Sequence, residues 1–584
     1  PAPRRLPNLR SRLVALLVVL GMGFGALVVR LVDVQGISAS RYAVMGQSQR
    51  LQRVDLPAQR GSIVDRNGAD LAVSVPRFTV WADPRLVNDP AADARALGGV
   101  LGLDAAEIRR GLTAESAFVY LARRVDDATA EKVRALNIPG VSLMPEPTRV
   151  SPSGAVGASV LGHVGADNEG LSGLERQYER ELAGTEGEML VERDPSGRDI
   201  AGGVRENKRP VRGEDLVLTL DRDLQFSTEQ ALGDQIAAAK AKSGIAVLMD
   251  PRTGEILAMA NMVAGDPGRP PQRADYNKAL IDVYEPGSVT KIVTMAGALQ
   301  EDAVTPSETF AVPDRLTVAG TTFHDAESHP THLYTPGDVM AESSNSGAIL
   351  IAQRLGKAGL DKYLRAFGLD GDTGLDFPGE ASGMLPQLED WSGTSLPTLA
   401  IGYGLAVNAV QMLAAYNTIA NGGVYVAPSL VRSRIGPDAK ERRAAPPKQR
   451  RVVSAETAAE VTAMLAEVVR SGTGKPAAVD GYTVAGKTGT ARKVEESLGY
   501  KEGAYVASFA GFLPAEAPRL SAIVVLDQPQ PYTGGLASGP VFAQLAGYAV
   551  RHFQVPATAA EEGGPTGEAL AAAATLRPSS ATRP

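Results

Sequence analysis

Along the chain the apolar positions form first one unbroken run, then short alternating stretches, then runs at helical spacing, and at the end they almost disappear. The unbroken run is LVALLVVLGMGFGALVV, Leu13 to Val29, uncharged and flanked by Arg12 and Arg30. About seventeen apolar residues is the lower limit for a helix that crosses a bilayer, and arginines at its ends can snorkel to the surfaces. Arg4, Arg5, Arg10 and Arg12 precede it, so the positive-inside rule turns the N-terminus to the cytoplasm and everything after the span to the outside. A cleaved signal peptide is the competing reading, but no small-x-small cleavage site followed by polar sequence stands out. The pattern predicts a cytoplasmic stretch over 1–12 and an uncleaved single-pass anchor over 13–34.

From 35 to 221 the pattern is mixed. RGSIVDRNGADLAVS (60–74) sets an Asp-Arg-Asn-Gly turn between two apolar runs, a hairpin signal. ADARALGGVLGLDAAEIRRGL and DDATAEKVRAL predict small helices, the second capped near Asp126 or Asp127. No nucleophile and base fall together here, so this stretch reads as an elongated mixed α/β pedestal, a spacer or docking module. From 222 to 554 the periods change. GIAVLMDPRTGEILAMAN (244–261) predicts an antiparallel hairpin around Asp250 to Gly254. Helical spacing follows at 288–299, 346–355 and 408–421, then strand-like runs at 482–491, 505–514 and 519–529, and a last helix near 540–552. Strand pair, helical insertion, more strands and a closing helix describe an α+β domain, an antiparallel sheet covered by helices. The tail, 555–584, is Ala, Glu, Gly, Pro and Thr with little to bury, which predicts disorder.

The bulk numbers narrow the partners. A chain of 584 residues has room for two to four domains, and its net charge of −7 argues against a general nucleic-acid binder. It has no cysteine, hence no disulfide and no thiolate site. Of five histidines, His324, His329 and His332 crowd one loop, but Pro330 interrupts them and no His-x-x-x-His spacing appears, so no metal is expected.

Candidate chemistry lies in three short elements. Ser288-Val289-Thr290-Lys291 opens a run in which Ile292, Val293, Met295, Ala296 and Leu299 keep helical spacing. A three-residue step puts Ser288 and Lys291 on one helical face, where a lysine stripped of water can serve as base to a serine. Ser343-Ser344-Asn345 precedes another helical run; there a helix cap is the plainer reading of Ser343 and Asn345. Lys487-Thr488-Gly489-Thr490 lies on a predicted strand, where a strand-edge lysine is the plainer reading. Lys242-Ser243-Gly244 imitates the third element but comes before the first, in the wrong order.

Ser-x-x-Lys, Ser-x-Asn and Lys-Thr-Gly in that order resemble the signatures of penicillin-binding proteins and serine β-lactamases. RGSIVDRNG (60–68), GLSGLERQYERELAGTEG (170–187), GEDLVLTLD (213–221) and DPRTGEILAMA (250–260) extend the resemblance to class B penicillin-binding proteins, over about residues 13–550. Two places depart from the usual pattern: Asn408-Ala409-Val410 stands where Thr-Pro-Leu is commoner, and Ser151 where a tyrosine is usual. Glu285, ahead of Pro-Gly-Ser, is similar to the septal, FtsI-type branch.

The resemblance implies a serine D,D-transpeptidase that cross-links peptidoglycan stem peptides, with no cofactor and with β-lactams as inhibitors. It implies Ser288 as nucleophile, Lys291 as its base, Ser343 as proton relay and Asn345 as holder of Lys291 and the substrate amide. Lys487, Thr488 and Thr490 would recognise the terminal carboxylate, and Gly489 would let the substrate approach the strand. The amides of Ser288 and Thr490 would form the oxyanion hole. It also implies a septal site in the membrane, an FtsW-type SEDS glycosyltransferase partner and other divisome membrane proteins. Alternatives are an elongation-type transpeptidase, a D,D-carboxypeptidase, a β-lactamase (disfavoured by the anchor and by the lack of a Glu-x-x-Leu-Asn segment between Ser343 and Lys487) and a penicillin-sensing or scaffolding protein.

Overall fold

The computed structural model describes residues 9–192, 207–495 and 499–558. Residues 1–8 of the expected cytoplasmic stretch, and the expected disordered tail from 559 on, lie outside them. The chain divides into two compact units. The first is assembled from residues 1–59, 77–146 and 184–212, the second from 60–76, 147–183 and 213–584.

In the first unit the long apolar run forms the helix Leu9–Val32, continued by a turn of wider helix, Asp33–Ile37. Together they make one helix long and apolar enough to cross a membrane, and none of the residues of Leu9–Val32 is buried. Farther on, Phe78–Ala82 pairs antiparallel with both Val119–Val125 and Val141–Pro145. Three capped helices accompany this sheet. Pro90–Leu101 is started by Asp89 and Pro90 and stopped by Gly102 at φ 69°, and Ala105–Leu112 is capped by Asp104. Asp126, not Asp127, caps Asp127–Ala135 by accepting from Thr129 N. Val80, Leu97, Ile108, Leu112 and Val133 form their common core.

The second unit is built on a six-stranded sheet in the spatial order Gln272–Arg273, Ile256–Val263, Ser243–Met249, Leu520–Asp527, Gly499–Leu513, Ala485–Glu495, antiparallel throughout. Because strand side chains alternate, Ile245, Val247 and Met249 enter one core, with Ile292, Val293, Met412 and Tyr416. Ala246 and Leu248 enter the opposite one, with Leu224, Leu232, Phe542 and Leu545. Helices therefore cover both faces: Lys291–Gln300 and Ala409–Ala420 on one, Arg222–Ala238 and Gly539–His552 on the other. Asn408, at one of the two departures, caps Ala409–Ala420 in a reciprocal box with Gln411. Both predicted hairpins form. Asp65 Oδ1 accepts from Asn67 N and Ala69 N in the first turn, and Gly254 at φ 72° closes the second.

A second sheet in this unit runs Glu441–Arg443, Val431–Ile435, Asp215–Leu218, Ile63–Val64, Asp70–Val75, Thr148–Val150. Three segments of the predicted pedestal range 35–221 thus fold with the 222–554 region: 60–76, 147–183 and 213–221. They are tied internally by a buried ion network in which Glu175 accepts from Arg60 Nε and Arg149 Nε, each at 2.7 Å.

Candidate active site

Ser288 sits in a tight turn, Gly287–Thr290, ahead of the α-helix Lys291–Gln300. Gly287 enters the turn at φ 60° and donates its N–H to Gly402 O at 2.9 Å. A Cβ on Gly402 would lie 2.0 Å from Gly287 O, so two glycines let the turn and the 402–404 loop touch. Tyr416 OH ties down Val289 O at 3.0 Å. Ser288 itself is half-buried, and its hydroxyl makes none of the hydrogen bonds found among the described residues.

Lys291 is 0 % exposed. Its Nζ donates to Ser343 O at 2.6 Å and Asn345 Oδ1 at 2.8 Å, with Ser343 Oγ at 3.5 Å. Ser343 presents its oxygens from a strained turn, at φ 59°, after the helix Pro336–Ala341, and Asn345 presents its own from the first position of the helix Asn345–Ala366. The cap of the second helix is Ser344, which accepts from Gly347 N. Ser343 and Asn345 are thereby free of capping and reach Lys291 instead. Burial brings the Lys291 ammonium down from 10.5 to about 7, against the opposing pull of the Asp325 carboxylate.

Lys487 comes from the edge strand Ala485–Glu495, whose only strand partner among the described residues is Gly499–Leu513. It too is 0 % exposed, and burial first, then the charge of Lys291, push it well below the ordinary lysine value. Its Nζ lies 3.4 Å from Thr488 Oγ1, which pairs with Thr473 Oγ1 at 2.9 Å. Thr490 Oγ1 accepts from Gly534 N at 3.0 Å, which leaves its proton to donate. At Gly489 a Cβ would meet Ser508 Oγ at 2.4 Å and Pro286 O at 3.0 Å, so this edge strand lies directly against the turn that carries Ser288. The fold brings the three elements to one place: the turn that carries Ser288 leads into the helix of Lys291, Lys291 reaches Ser343 and Asn345, and the Lys487–Thr490 strand lies beside the turn.

Sequence reasoning missed Asp325 and Thr473. Asp325 is 9 % exposed and receives four donors: Ser344 Oγ, Asn345 N, Ser346 N and His329 Nε2. Its one signal was its place among the three loop histidines. Glu285 lies at the other side of the turn, where its Oε1 accepts from Gly404 N (2.7 Å) and Tyr500 OH (3.3 Å), and burial raises its carboxyl.

Residues 244–547 match the penicillin binding protein transpeptidase domain family and residues 55–218 the penicillin-binding protein dimerisation domain family. The penicillin-binding protein PbpB of Mycobacterium tuberculosis is 36 % identical over 86 % of this chain and 79 % of its own length. The peptidoglycan D,D-transpeptidase FtsI of Escherichia coli is 34 % identical over 92 % of this chain and 91 % of its own. Among solved structures, penicillin binding protein 3 from M. tuberculosis complexed with aztreonam superposes with a TM-score of 0.68, at 32 % identity, over 86 % of this chain and 98 % of its own.

Proposed function

The chain belongs to the class B penicillin-binding proteins, which join a dimerisation module to a transpeptidase domain, and from that premise we propose that it is a membrane-anchored D,D-transpeptidase of septal peptidoglycan synthesis that works through a Ser288 acyl-enzyme. The observation that carries this reading is Lys291: a buried amine near pKa 7, held by Ser343 and Asn345, three residues after a half-buried serine in the turn that leads into its helix.

At neutral pH about half of such a lysine is the free base. Ser288 Oγ attacks the carbonyl between the two terminal D-alanines of a donor stem while Lys291 Nζ takes its proton. The amides of Ser288 and Thr490 hold the oxyanion, and removing one such donor costs about 3 kcal/mol in other acyl-transfer enzymes. Ser343 Oγ, 3.5 Å from Lys291 Nζ, passes the proton to the departing D-alanine amine. An amine of a neighbouring stem then attacks the ester by the reverse route, and the cross-link forms. Thr488 and Thr490 hydroxyls receive the stem carboxylate. That carboxylate supplies the negative charge which the buried Lys487 lacks. Lys487 then carries a proton, and its charge keeps Lys291 neutral.

The septal reading is supported by Glu285 ahead of Pro-Gly-Ser and by relatives named FtsI. The helix Leu9–Val32 supports a single-pass anchor with the catalytic unit outside, next to an FtsW-type polymerase and other membrane proteins of division. By sequence we assign 13–34 to the anchor, 35–221 to the pedestal module and 222–554 to the transpeptidase region. The direct test incubates the detergent-solubilised chain with a stem pentapeptide donor and an amine acceptor. Equimolar D-alanine release and cross-linked product, both abolished by penicillin, are expected; hydrolysis without transfer would make the enzyme a carboxypeptidase. A fluorescent fusion spread along the side wall would replace the septal role with the elongation one.

A further inference from the structure

The loop 324–332 has no part in the scheme above, yet it closes on the back of the second motif. Asp325 carries four donors: Ser344 Oγ at 2.6 Å, Asn345 N at 2.6 Å, Ser346 N at 2.9 Å and His329 Nε2 at 3.0 Å. That fills the acceptor sites of a carboxylate. Asn345 Nδ2 donates to His324 O at 2.9 Å, so the amide is fixed with its oxygen toward Lys291. The other His329 nitrogen, Nδ1, lies 2.7 Å from Pro330 O. A neutral imidazole donates from one nitrogen only, whereas both nitrogens of His329 face oxygens.

We propose that His329 and Asp325 are positioning residues for acylation: a charged histidine–aspartate pair that pins the Ser343–Asn345 turn on Lys291 and cancels the carboxylate's charge there. The inference rests on the reading of Lys291 as base. Asp325 alone holds a proton on Lys291, and the imidazolium offsets that pull. The hydrogen bond to Asp325, then that to Pro330 O, raise the His329 ring above the ordinary histidine value, consistent with a charged ring. Other groups facing the pair are Asp314, which accepts from Ser328 Oγ, and the rings of His332 and Tyr334, 5.1 and 6.1 Å from His329. Asp338 and Glu342 act on Tyr334 from the following helix and its end.

Two variants separate charge from scaffolding. His329→Gln keeps a donor to Asp325 but loses the charge. Asp325→Asn keeps an acceptor for the two backbone amides but loses the opposite charge. The second-order rate of fluorescent-penicillin acylation is measured on the full chain in detergent from pH 5 to 9. The acid limb should move to higher pH in His329→Gln and to lower pH in Asp325→Asn. A half-unit displacement changes the rate on that limb about threefold, in opposite directions for the two variants. Limbs that stay in place, or move the same way, overturn the proposal even if both rates fall, because a purely structural loop lowers rates without opposite displacements. If Asp325→Asn does not fold, His329→Asn replaces it, and an unmoved limb in both histidine variants overturns the proposal. A wild-type profile without an acid limb would instead remove Lys291 as base, a separate failure.

Discussion

Replacing Lys291 by methionine should abolish acylation and, at neutral pH, make the catalytic unit more stable. The buried ammonium stands at about 7 in the folded chain against 10.5 for an ordinary lysine. Between these values the unfolded chain binds more protons than the folded one, so stability rises with pH. The cost of burying Lys291 is about 4 kcal/mol at pH 7 and about 2 kcal/mol at pH 9, vanishing above 10.5. Against this, methionine forfeits the bonds to Ser343 O and Asn345 Oδ1, worth about 1–3 kcal/mol. Lys487 is also relieved, because Lys291 is one cause of its lowered value. The net expectation is a gain of roughly 1–3 kcal/mol at pH 7 that shrinks by about 2 kcal/mol on going to pH 9. The chain has two tryptophans, one in each compact unit. In a Trp81→Phe background, urea unfolding followed by the buried Trp391 reports on the catalytic unit alone. A variant less stable than wild type at pH 7, or a difference unchanged between pH 7 and 9, would show that Lys291 is not buried at a lowered pKa.

Lys487→Ala should slow acylation by a substrate with a free carboxylate far more than by its methyl ester, read as the ratio of the two rate constants; an unchanged ratio would remove Lys487 from carboxylate recognition. Gly489→Ala pushes a methyl toward Ser508 Oγ and Pro286 O, so acylation should fall at least tenfold, the effect of about 1.4 kcal/mol. Ser508→Ala, which deletes the nearer contact, should restore part of it in penicillin-labelling assays. A fragment beginning near 222 keeps every candidate catalytic residue but strips Val431–Ile435 of its partner Asp215–Leu218. It should therefore aggregate in size-exclusion chromatography, and a soluble fragment with wild-type stability would show the segments 60–76, 147–183 and 213–221 to be dispensable to the catalytic unit.

The hairpins were legible because Asp-Arg-Asn-Gly and Asp-Pro-Arg-Thr-Gly specify turns locally, and the helices because their apolar positions repeat at helical spacing. Ser288 and Lys291 were legible as a motif whose three-residue spacing keeps them in adjoining turns, and Lys487 as a motif on a predicted strand. Pairing between distant strands was not. Ile63 lies beside Leu216, and Val217 beside Ser433, but alternation along a strand fixes which face is buried, not which strand is its neighbour. Hence the pedestal read as one block, whereas the structure folds parts of it with the catalytic region. Asp325 escaped for a related reason. It lies on an irregular loop, where no period marks a buried carboxylate, and three of its four partners are about twenty residues away at the start of the helix Asn345–Ala366. The histidines near it drew notice for metal spacing, and the structure sets one of them, His329, on a hydrogen-bonded acid. The cap reading of the second motif fell one residue short: Ser344 caps, and its two neighbours face Lys291.

If Ser288 carries the acyl group, a single labelling measurement shows it. Benzylpenicillin is incubated with the full chain in detergent, excess drug is removed, and intact mass and peptide mapping locate the adduct. One penicilloyl group per chain is expected, on the peptide containing Ser288, and none on a folded Ser288→Ala variant. An adduct on another residue, or labelling that survives in Ser288→Ala, would contradict it.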